Sequence, residues 1–155
     1  MPTREEKLQS LGYSPECHMK PGAIYQPVVI DGTTAYVSGC LPFDDAQVLT
    51  SAGKVPTDVS IADAAKAAAL CAVNVLRLLR QALGSLDRVD RMLKVFGMVN
   101  SAPDFDSQHL VINGASQLFL DVLGEAGWHA RSAVGMAALP RNTSVEVEAV
   151  VRIKG

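Results

Sequence analysis

The sequence predicts a single domain of the α+β class. Runs rich in β-branched residues occur near both ends of the chain, and two segments with helical periodicity lie between them. No internal repeat or low-complexity linker divides the 155 residues. A chain of this length can bury a core without disulfides or metals, and its 48% hydrophobic content is typical of a folded protein rather than a disordered one.

Charged residues are few and almost balanced. Only 19% of the residues are charged and the net charge is −2, which suggests that other copies of the chain cover part of the apolar surface. Without a basic excess, the electrostatic attraction that drives non-specific nucleic-acid binding is missing, so no nucleic-acid partner is expected. The charged start MPTREEKLQS and the lack of a run of about 20 apolar residues predict a cytoplasmic protein with no membrane partner.

Motifs for metals and cofactors are missing. The cysteines at 17, 40 and 71 are widely spaced and form no CxxC or HExxH pattern, so neither a disulfide framework nor a zinc site is expected. Cys17 and His18 would need two further ligands to hold a metal, and a loop is the simpler interpretation. A glycine-rich phosphate loop and a nucleophile elbow are also missing. We expect no metal and no cofactor.

A short helix is predicted at the N-terminus. Thr3 and Glu6 have the spacing of a capping box, and Gly12 would stop the helix. The segment that follows contains two prolines and a glycine and predicts a loop. We therefore predict an N-terminal helical extension over residues 1–20 and one domain over residues 21–155.

Two β-rich runs, residues 26–30 and 33–38, predict a hairpin. They are joined by Asp31 and Gly32, and glycine accepts the positive φ that a tight turn requires. Residues 41–58 then form a long loop, and loops of this length are often functional or mobile.

A long helix is predicted after this loop. Ser60 can cap its start, and Gly84 can stop it after Leu83. Alanine fills much of its first half, so the helix can approach a sheet closely. A strand is predicted next at residues 88–100, and a second helix begins at Asp104 or Ser107 and ends near Gly124.

The C-terminal part predicts a second hairpin, with strands at residues 131–139 and 144–153. If Leu139 faces Ser144 across the turn, one face of this hairpin is wholly apolar and must pack on the helices. The residues of that face are Val134, Met136, Ala138, Val145, Val147, Ala149, Val151 and Ile153. The opposite face carries Arg131, Ala133, Gly135, Ala137, Glu146, Glu148 and Val150. A second helix layer would bury these charges unpaired, so the opposite face is expected to meet another protein surface.

The order of several motifs resembles a known family. Three segments are similar to the C-terminal signature of the reactive intermediate deaminase (Rid, or YjgF) family: His129-Ala-Arg-Ser-Ala-Val, Ala138-Leu-Pro and Ser144-Val-Glu-Val-Glu-Ala-Val. Further matches in the family's order are Tyr25 followed by Ser38-Gly39, Gly53 and Pro56 before the long helix, and Asn113 followed by Phe119. The resemblance extends over residues 25–153 and is most specific in the C-terminal signature.

The resemblance implies a chorismate-mutase-like fold, with two long helices on one face of a mixed β-sheet that trimerises through the other face. It also implies hydrolysis of reactive enamines or imines, such as 2-aminoacrylate, to 2-keto acids and ammonia. The expected partners are a small carboxylate or imino-acid ligand and the other subunits of a homotrimer. Arg131 stands at the family's carboxylate-binding position. Other family pocket positions carry Tyr25, Ser38, Gly39, Asn113, Ala133 and Glu146.

These residue types suit the implied chemistry. The guanidinium of Arg131 can bind the carboxylate of a 2-imino acid bidentately. Glu146 can position the attacking water or transfer its proton. In the predicted hairpin the two residues lie ~20 Å apart along the strands, so a site that uses both needs a neighbouring subunit.

Departures from the family pattern leave the substrate open. Ala133 replaces the usual cysteine, Cys40 replaces the usual glutamine after Ser38-Gly39, and Ser116 stands where tyrosine is common. A trimer that binds small carboxylates without turnover is therefore an alternative function. An endoribonuclease, a name given to some relatives, is disfavoured by the acidic charge balance.

Several candidate residues also have a purely structural interpretation. Arg131 could form an interface ion pair with Glu146 or Glu148 instead of binding a ligand. Tyr25 could be a packed loop aromatic, Ser38-Gly39 could be only a strand end, and Asn113 could form a cap or a tertiary hydrogen bond. The aromatic side chains of His109, Trp128 and His129 are interpreted as structural.

Overall fold

The computed structural model describes residues 1–16 and 18–155 and confirms the α+β class. The helices are α1 (Arg4–Ser10), α2 (Ile61–Leu83) and α3 (Gln108–Leu123), and the strands are β1 (Val28–Asp31), β2 (Thr34–Cys40), β3 (Val89–Asn100), β4 (Ala130–Met136) and β5 (Val145–Ile153). Cys17, considered above as half of a metal-binding pair with His18, lies outside the described residues. Within the described chain, none of the helices has the length and apolar character of a membrane span.

The five strands form one mixed sheet in the order β1-β2-β5-β3-β4. β4 pairs parallel with β3, whereas the other neighbours are antiparallel. The predicted hairpin between residues 131–139 and 144–153 is therefore wrong, because β3 lies between β4 and β5. Alternation of apolar residues defines the two faces of a strand but does not identify the strand beside it.

The helices α2 and α3 cover one face of this sheet. The odd-numbered residues of β5 from Val145 to Ile153 are buried in the core, as predicted. The prediction for β4 is wrong, because it assigned the side chains of this strand to the opposite faces of the sheet. Arg131 pairs with Val95 and Ala133 with Gly97. Val95 is fully buried beneath the helices, so Arg131, Ala133 and Gly135 point to the helical side, and Val134 and Met136 point to the open side.

The predicted signals at the helix ends are confirmed. Thr3 and Glu6 form a capping box on α1, the Ser60 side chain caps α2, and Gly84 ends α2 with φ 84°. α3 starts after Ser107, the second of the two predicted starting points.

Close helix contact occurs between α2 and α3. A Cβ added at Gly114 would lie 2.7 Å from the carbonyl carbon of Ala65 and still closer to its oxygen. The alanine-rich half of α2 thus allows α3 to pack closely against it. The sequence predicted close packing of this half against the sheet instead.

The N-terminal helix is docked on the rest of the chain. Leu8 is fully buried in the core. Arg4 donates a hydrogen bond of 2.9 Å to the Leu86 carbonyl, and the Leu86 amide donates one of 2.6 Å to the Glu5 carboxylate. α1 therefore covers the turn that connects α2 to β3.

Two loops differ from expectation in detail. In the first hairpin Asp31 pairs with Thr34, so the turn consists of Gly32 and Thr33, one residue later than predicted. The long loop after β2 is held in place, because the buried Asn74 amide donates hydrogen bonds of 2.9 and 3.0 Å to the carbonyls of Leu41 and Phe43.

Candidate functional site

The predicted site residues form two separate groups within one chain. Tyr25, Ser38, Gly39 and Glu146 line one cleft, which we call the Glu146 cleft. Asn113 and Arg131 lie together in a second depression, which we call the Arg131 cluster and which also contains Ser116, Trp128 and His129. Ala133 belongs to neither group and packs against the core.

Irregular pairing between β2 and β5 shapes the Glu146 cleft. The register shifts between Val37 and Cys40, so Ser38 and Gly39 form a bulge beside Glu146. A Cβ at Gly39 would lie 2.9 Å from the Glu146 Cδ and would overlap its Oε1. Glycine at this position therefore provides the space in which the carboxylate sits.

The Glu146 cleft is large enough for a small metabolite, with a volume of about 780 Å³. Its wall includes apolar side chains, among them Leu41, Phe43 and Leu78. Tyr25 lies at the cleft with 45% of its surface exposed. Pockets of this kind, mostly apolar with a few polar groups, suit small-molecule ligands.

The environment of Glu146 favours its protonated form. Partial burial raises the pKa of the Glu146 carboxyl above its ordinary value, and the negative charge of Glu148 raises it further. A carboxylate whose pKa moves toward neutral pH is a better proton acceptor, as general base catalysis requires.

In the Arg131 cluster, neutral oxygens hold the guanidinium. Nη1 donates to Asn113 Oδ1 at 2.9 Å and to Ser116 Oγ at 3.1 Å, and Nη2 donates to the His109 carbonyl at 3.4 Å. Within residues 1–16 and 18–155, Arg131 forms no ion pair. The interface ion pair with Glu146 or Glu148 is thus not formed inside one chain, and the positive charge remains available to an anion.

His129 orients this cluster through Ser116. Its Nδ1 lies 2.6 Å from the Gly127 carbonyl, which can only accept, so Nδ1 carries the proton. The other ring nitrogen, Nε2, then accepts from the Ser116 hydroxyl at 3.0 Å, and Ser116 Oγ accepts from Arg131. The hydrogen bonds therefore run in one direction, from Arg131 through Ser116 to His129.

The protonation state of His129 fits this direction. Burial lowers the pKa of His129; the hydrogen bond to Gly127 opposes that shift, and the positive charge of Arg131 adds to it. The ring also packs edge-on against Phe119, with centroids 5.9 Å apart. A neutral, fixed ring keeps Nε2 available as an acceptor. Trp128, by contrast, is 57% exposed in the single chain and adds little to the core.

Arg131 and Glu146 do not meet within one chain. Arg131 pairs with Val95 and Glu146 with Met98, on opposite sides of β3. Two strand spacings and an offset of three residues place their Cα atoms on the order of 14 Å apart, and the two side chains point to opposite faces. The sequence placed both on one face, which is wrong, because it assumed that β4 and β5 are neighbours.

Sequence reasoning missed Arg141, which also lines the Glu146 cleft. Arg141 and Asn142 both have φ 56°, in the left-handed region that residues other than glycine, asparagine and aspartate rarely adopt. For Arg141 this backbone conformation costs about 1–3 kcal/mol, and strain of this type often marks functional sites. The sequence predicted only a turn after Pro140, and no local signal distinguishes this arginine from an ordinary surface residue.

Comparison with known proteins assigns these features to a family. Residues 8–151 match the family model described as "YjgF/chorismate_mutase-like, putative endoribonuclease". The chain is 41% identical over 147 residues to Protein TCP17 of Trypanosoma cruzi, covering 94% of this chain and 91% of TCP17. It is 47% identical to Atu1372 from Agrobacterium tumefaciens, a protein of unknown function whose crystal structure has been solved. The match covers 99% of this chain and 94% of Atu1372, with a TM-score of 0.90. RidA from the Antarctic bacterium Psychrobacter sp. is 27% identical, with coverages of 86% and 92% and a TM-score of 0.60.

Proposed function

The chain belongs to the YjgF/chorismate-mutase-like family, and from this premise we propose that it hydrolyses reactive 2-imino acids. The family and the fold are those that the sequence motifs predicted. The proposed substrates are enamines of the 2-aminoacrylate type and their imine tautomers, and the products are 2-keto acids and ammonia. The proposed site is formed where the Arg131 cluster of one copy meets the Glu146 cleft of another.

The unpaired guanidinium of Arg131 is the observation that carries this proposal. Asn113 and Ser116 fix its Nη1 edge, whereas no carboxylate of the described chain neutralises it. A 2-imino acid carries a carboxylate next to its electrophilic carbon, and a guanidinium binds carboxylates in a defined orientation. Binding at Arg131 would therefore also place the reacting carbon.

Glu146 would supply the proton transfer. The carboxylate accepts a proton from water as the water oxygen bonds to the imine carbon, and it passes this proton to the imine nitrogen to give the carbinolamine. The carboxylate then takes the hydroxyl proton of the carbinolamine and delivers it to the amine, so that ammonia leaves as the C–N bond breaks and the C=O bond of the keto acid forms. A positioned acid–base group contributes about 10²–10⁴-fold to such a step. Because these imines also hydrolyse in water unaided, positioning of substrate and water supplies much of the remaining effect.

A homotrimer is part of this proposal, since the two halves of the site lie on different parts of the chain. The open face of the sheet supports it, because Val29 and Tyr36 are 50% and 49% exposed and the neighbouring strands present Phe96, Met98 and Val134 on the same side. A sheet face that exposes several large apolar side chains is typical of subunit interfaces. Analytical ultracentrifugation tests the assembly, and a monomer at all concentrations would contradict it.

The decisive experiment measures keto-acid release from imino acids generated in situ. Arg131→Ala should lower kcat/KM by about 10²–10³-fold, because the loss of a buried charge pair costs several kcal/mol. Arg88→Ala is the matched control, since Arg88 is exposed before β3 and lines neither cleft. Rates no faster than buffer for the wild-type protein across several imino acids would refute the deaminase proposal.

Mixed trimers show whether the site is shared. Arg131→Ala and Glu146→Gln chains would each be inactive alone. When the two are co-expressed, a site that takes Arg131 from one chain and Glu146 from the next is intact in about a quarter of cases in a cyclic assembly. Recovery of about that share of activity supports a shared site, whereas no recovery in trimers shown to contain both chains would contradict it.

A trimer that binds carboxylates without turnover is the second candidate. The observation in its favour is Ala133, which packs against the core and offers no thiol. Calorimetry with 2-oxobutanoate distinguishes the two functions, because binding that depends on Arg131 without imine hydrolysis would favour the binding protein. Cleavage of RNA by the pure protein would instead favour the endoribonuclease named in the family description.

A further inference from the structure

We propose that Arg141 forms a second anion-binding position in the Glu146 cleft, so that the preferred substrates are 2-imino acids with an acidic side chain. This inference rests on the proposed function and specifies its substrate class.

The backbone at Arg141 is held in an unfavourable conformation by a specific set of hydrogen bonds. Arg141 and Asn142 both have φ 56°. The Asn142 carbonyl accepts from the Gly53 amide at 2.7 Å, and the Asn142 side chain accepts from Asn100 at 3.1 Å. Asn100 is completely buried. The interior of the protein therefore imposes the turn that brings Arg141 to the cleft.

The side chain of Arg141 rests on an aromatic platform. Its guanidinium carbon lies 5.4 Å from the centre of the Phe43 ring, within the range of a cation–π contact. Phe43 is itself fixed, because its carbonyl accepts a hydrogen bond from the buried Asn74. This stacking covers one face of the guanidinium, but it provides no hydrogen-bond acceptor for the N–H groups. In the described part of the chain, Arg141 has no ion-pair partner.

The charge of the cleft also favours an anionic ligand. Its described lining carries the two basic residues Arg141 and Lys20, and Glu146 is the one acidic residue among them. This basic rim contrasts with the net charge of −2 of the whole chain. A cleft with an excess of one sign of charge raises the local concentration of ligands of the opposite sign.

A site that contains two guanidinium groups is suited to a ligand that carries two carboxylates. In the proposed function, Arg131 of a second copy binds the carboxylate next to the imine carbon. The water that attacks this carbon must lie at Glu146, which shares its cleft with Arg141. A second carboxylate a few bonds from the imine would reach Arg141, whereas an alkyl side chain would leave that guanidinium without a partner.

The test compares two imines of equal chain length, those derived from glutamate and from norvaline, generated in situ by oxidation of the amino acids. We expect the wild-type ratio of kcat/KM, acidic over alkyl, to be about tenfold or more, as for a charged hydrogen-bonded contact. Arg141→Gln should lower this ratio at least fivefold, and Arg141→Lys should retain part of it. Arg88→Gln, at an exposed arginine that lines neither cleft, should leave the ratio unchanged.

The possible failures are distinguishable. If both imines are hydrolysed with a ratio near one, or if Arg141→Gln leaves the ratio unchanged, the second anion position is refuted and the deaminase proposal stands. If neither imine is hydrolysed, the deaminase proposal fails, and calorimetry with 2-oxoglutarate and 2-oxopentanoate tests the position alone. Equal affinities for these two keto acids would overturn it, and a preference for 2-oxoglutarate that Arg141→Gln removes would support it.

Discussion

Arg131 and Glu146 lie on opposite faces of one sheet, with β3 between their strands. Arg131 points toward α3, where Asn113 and Ser116 hold it, and Glu146 lies in a cleft beside Gly39. Neither residue can move to the other without breaking the sheet. A reaction that uses both groups therefore requires a second copy of the chain.

Replacement of Glu148 by glutamine should move the acid limb of the kcat/KM profile to lower pH. Burial and the charge of Glu148 both raise the pKa of Glu146, so the ionised base is lost at a higher pH than for an ordinary glutamate. Glu148→Gln removes one of these two causes. The pH profile of the variant checks this, with Glu125→Gln as an exposed control, and an unmoved limb would contradict the assignment of Glu146 as the base.

The same shift has a consequence for stability. A glutamate whose pKa is raised by folding destabilises the folded state above that pKa, and the penalty is relieved as the pH falls through it. Glu148→Gln should therefore raise the free energy of unfolding slightly at pH 7, and the gain should disappear in acid. Urea denaturation at several pH values measures this difference.

Substitution of Ser116 by alanine should weaken substrate binding more than turnover. The Ser116 hydroxyl accepts from Arg131 and donates to His129, so its loss frees the guanidinium to move while Asn113 still holds it. A hydrogen bond of this kind contributes about 1 kcal/mol, which corresponds to a KM about fivefold higher. Steady-state kinetics separate KM from kcat. Ser116→Thr, which keeps the hydroxyl, should restore KM, and a fall in kcat alone would indicate a different role.

Gly39→Ala should reduce activity without unfolding the protein. The added Cβ overlaps the Glu146 carboxylate, which is the free end of a flexible side chain and can move away. Displacement of a catalytic group by about 1 Å can lower the rate by on the order of 10²-fold. A double-mutant cycle with Glu146→Gln tests the mechanism. If Gly39 acts through Glu146, the double variant is no slower than Glu146→Gln alone, and an additive loss would show that Gly39 has a separate function.

Gly114→Ala should destabilise the fold. Alanine normally stabilises a helix by about 1 kcal/mol relative to glycine, but here the new Cβ would overlap the backbone of Ala65. The two helices would have to separate, and overpacking of this kind costs about 1–3 kcal/mol. Thermal and urea denaturation measure the loss. Gly22→Ala is the control, because no atom lies within 4 Å of a Cβ at that position, and equal stability of both variants would argue against close packing of α2 and α3.

The sequence by itself determined the features that depend on neighbours along the chain. The capping box of Thr3 and Glu6 and the ends of α2 at Ser60 and Gly84 were predictable, because caps and stops are formed by residues a few positions apart. The inward face of β5 was predictable for the same reason, since alternation is a local property of a strand. The motifs also identified the family, because its signature lies in contiguous segments.

Only the tertiary structure decided which strands are neighbours and what each polar side chain contacts. β3 separates β4 from β5, and this places Arg131 against α3 rather than beside Glu146. The link from Arg131 through Ser116 to His129, and the turn that brings Arg141 over Phe43, join residues distant in sequence. Strand pairing and contacts of this kind depend on the free energy of the whole packed core. This free energy cannot be deduced from any short stretch of sequence.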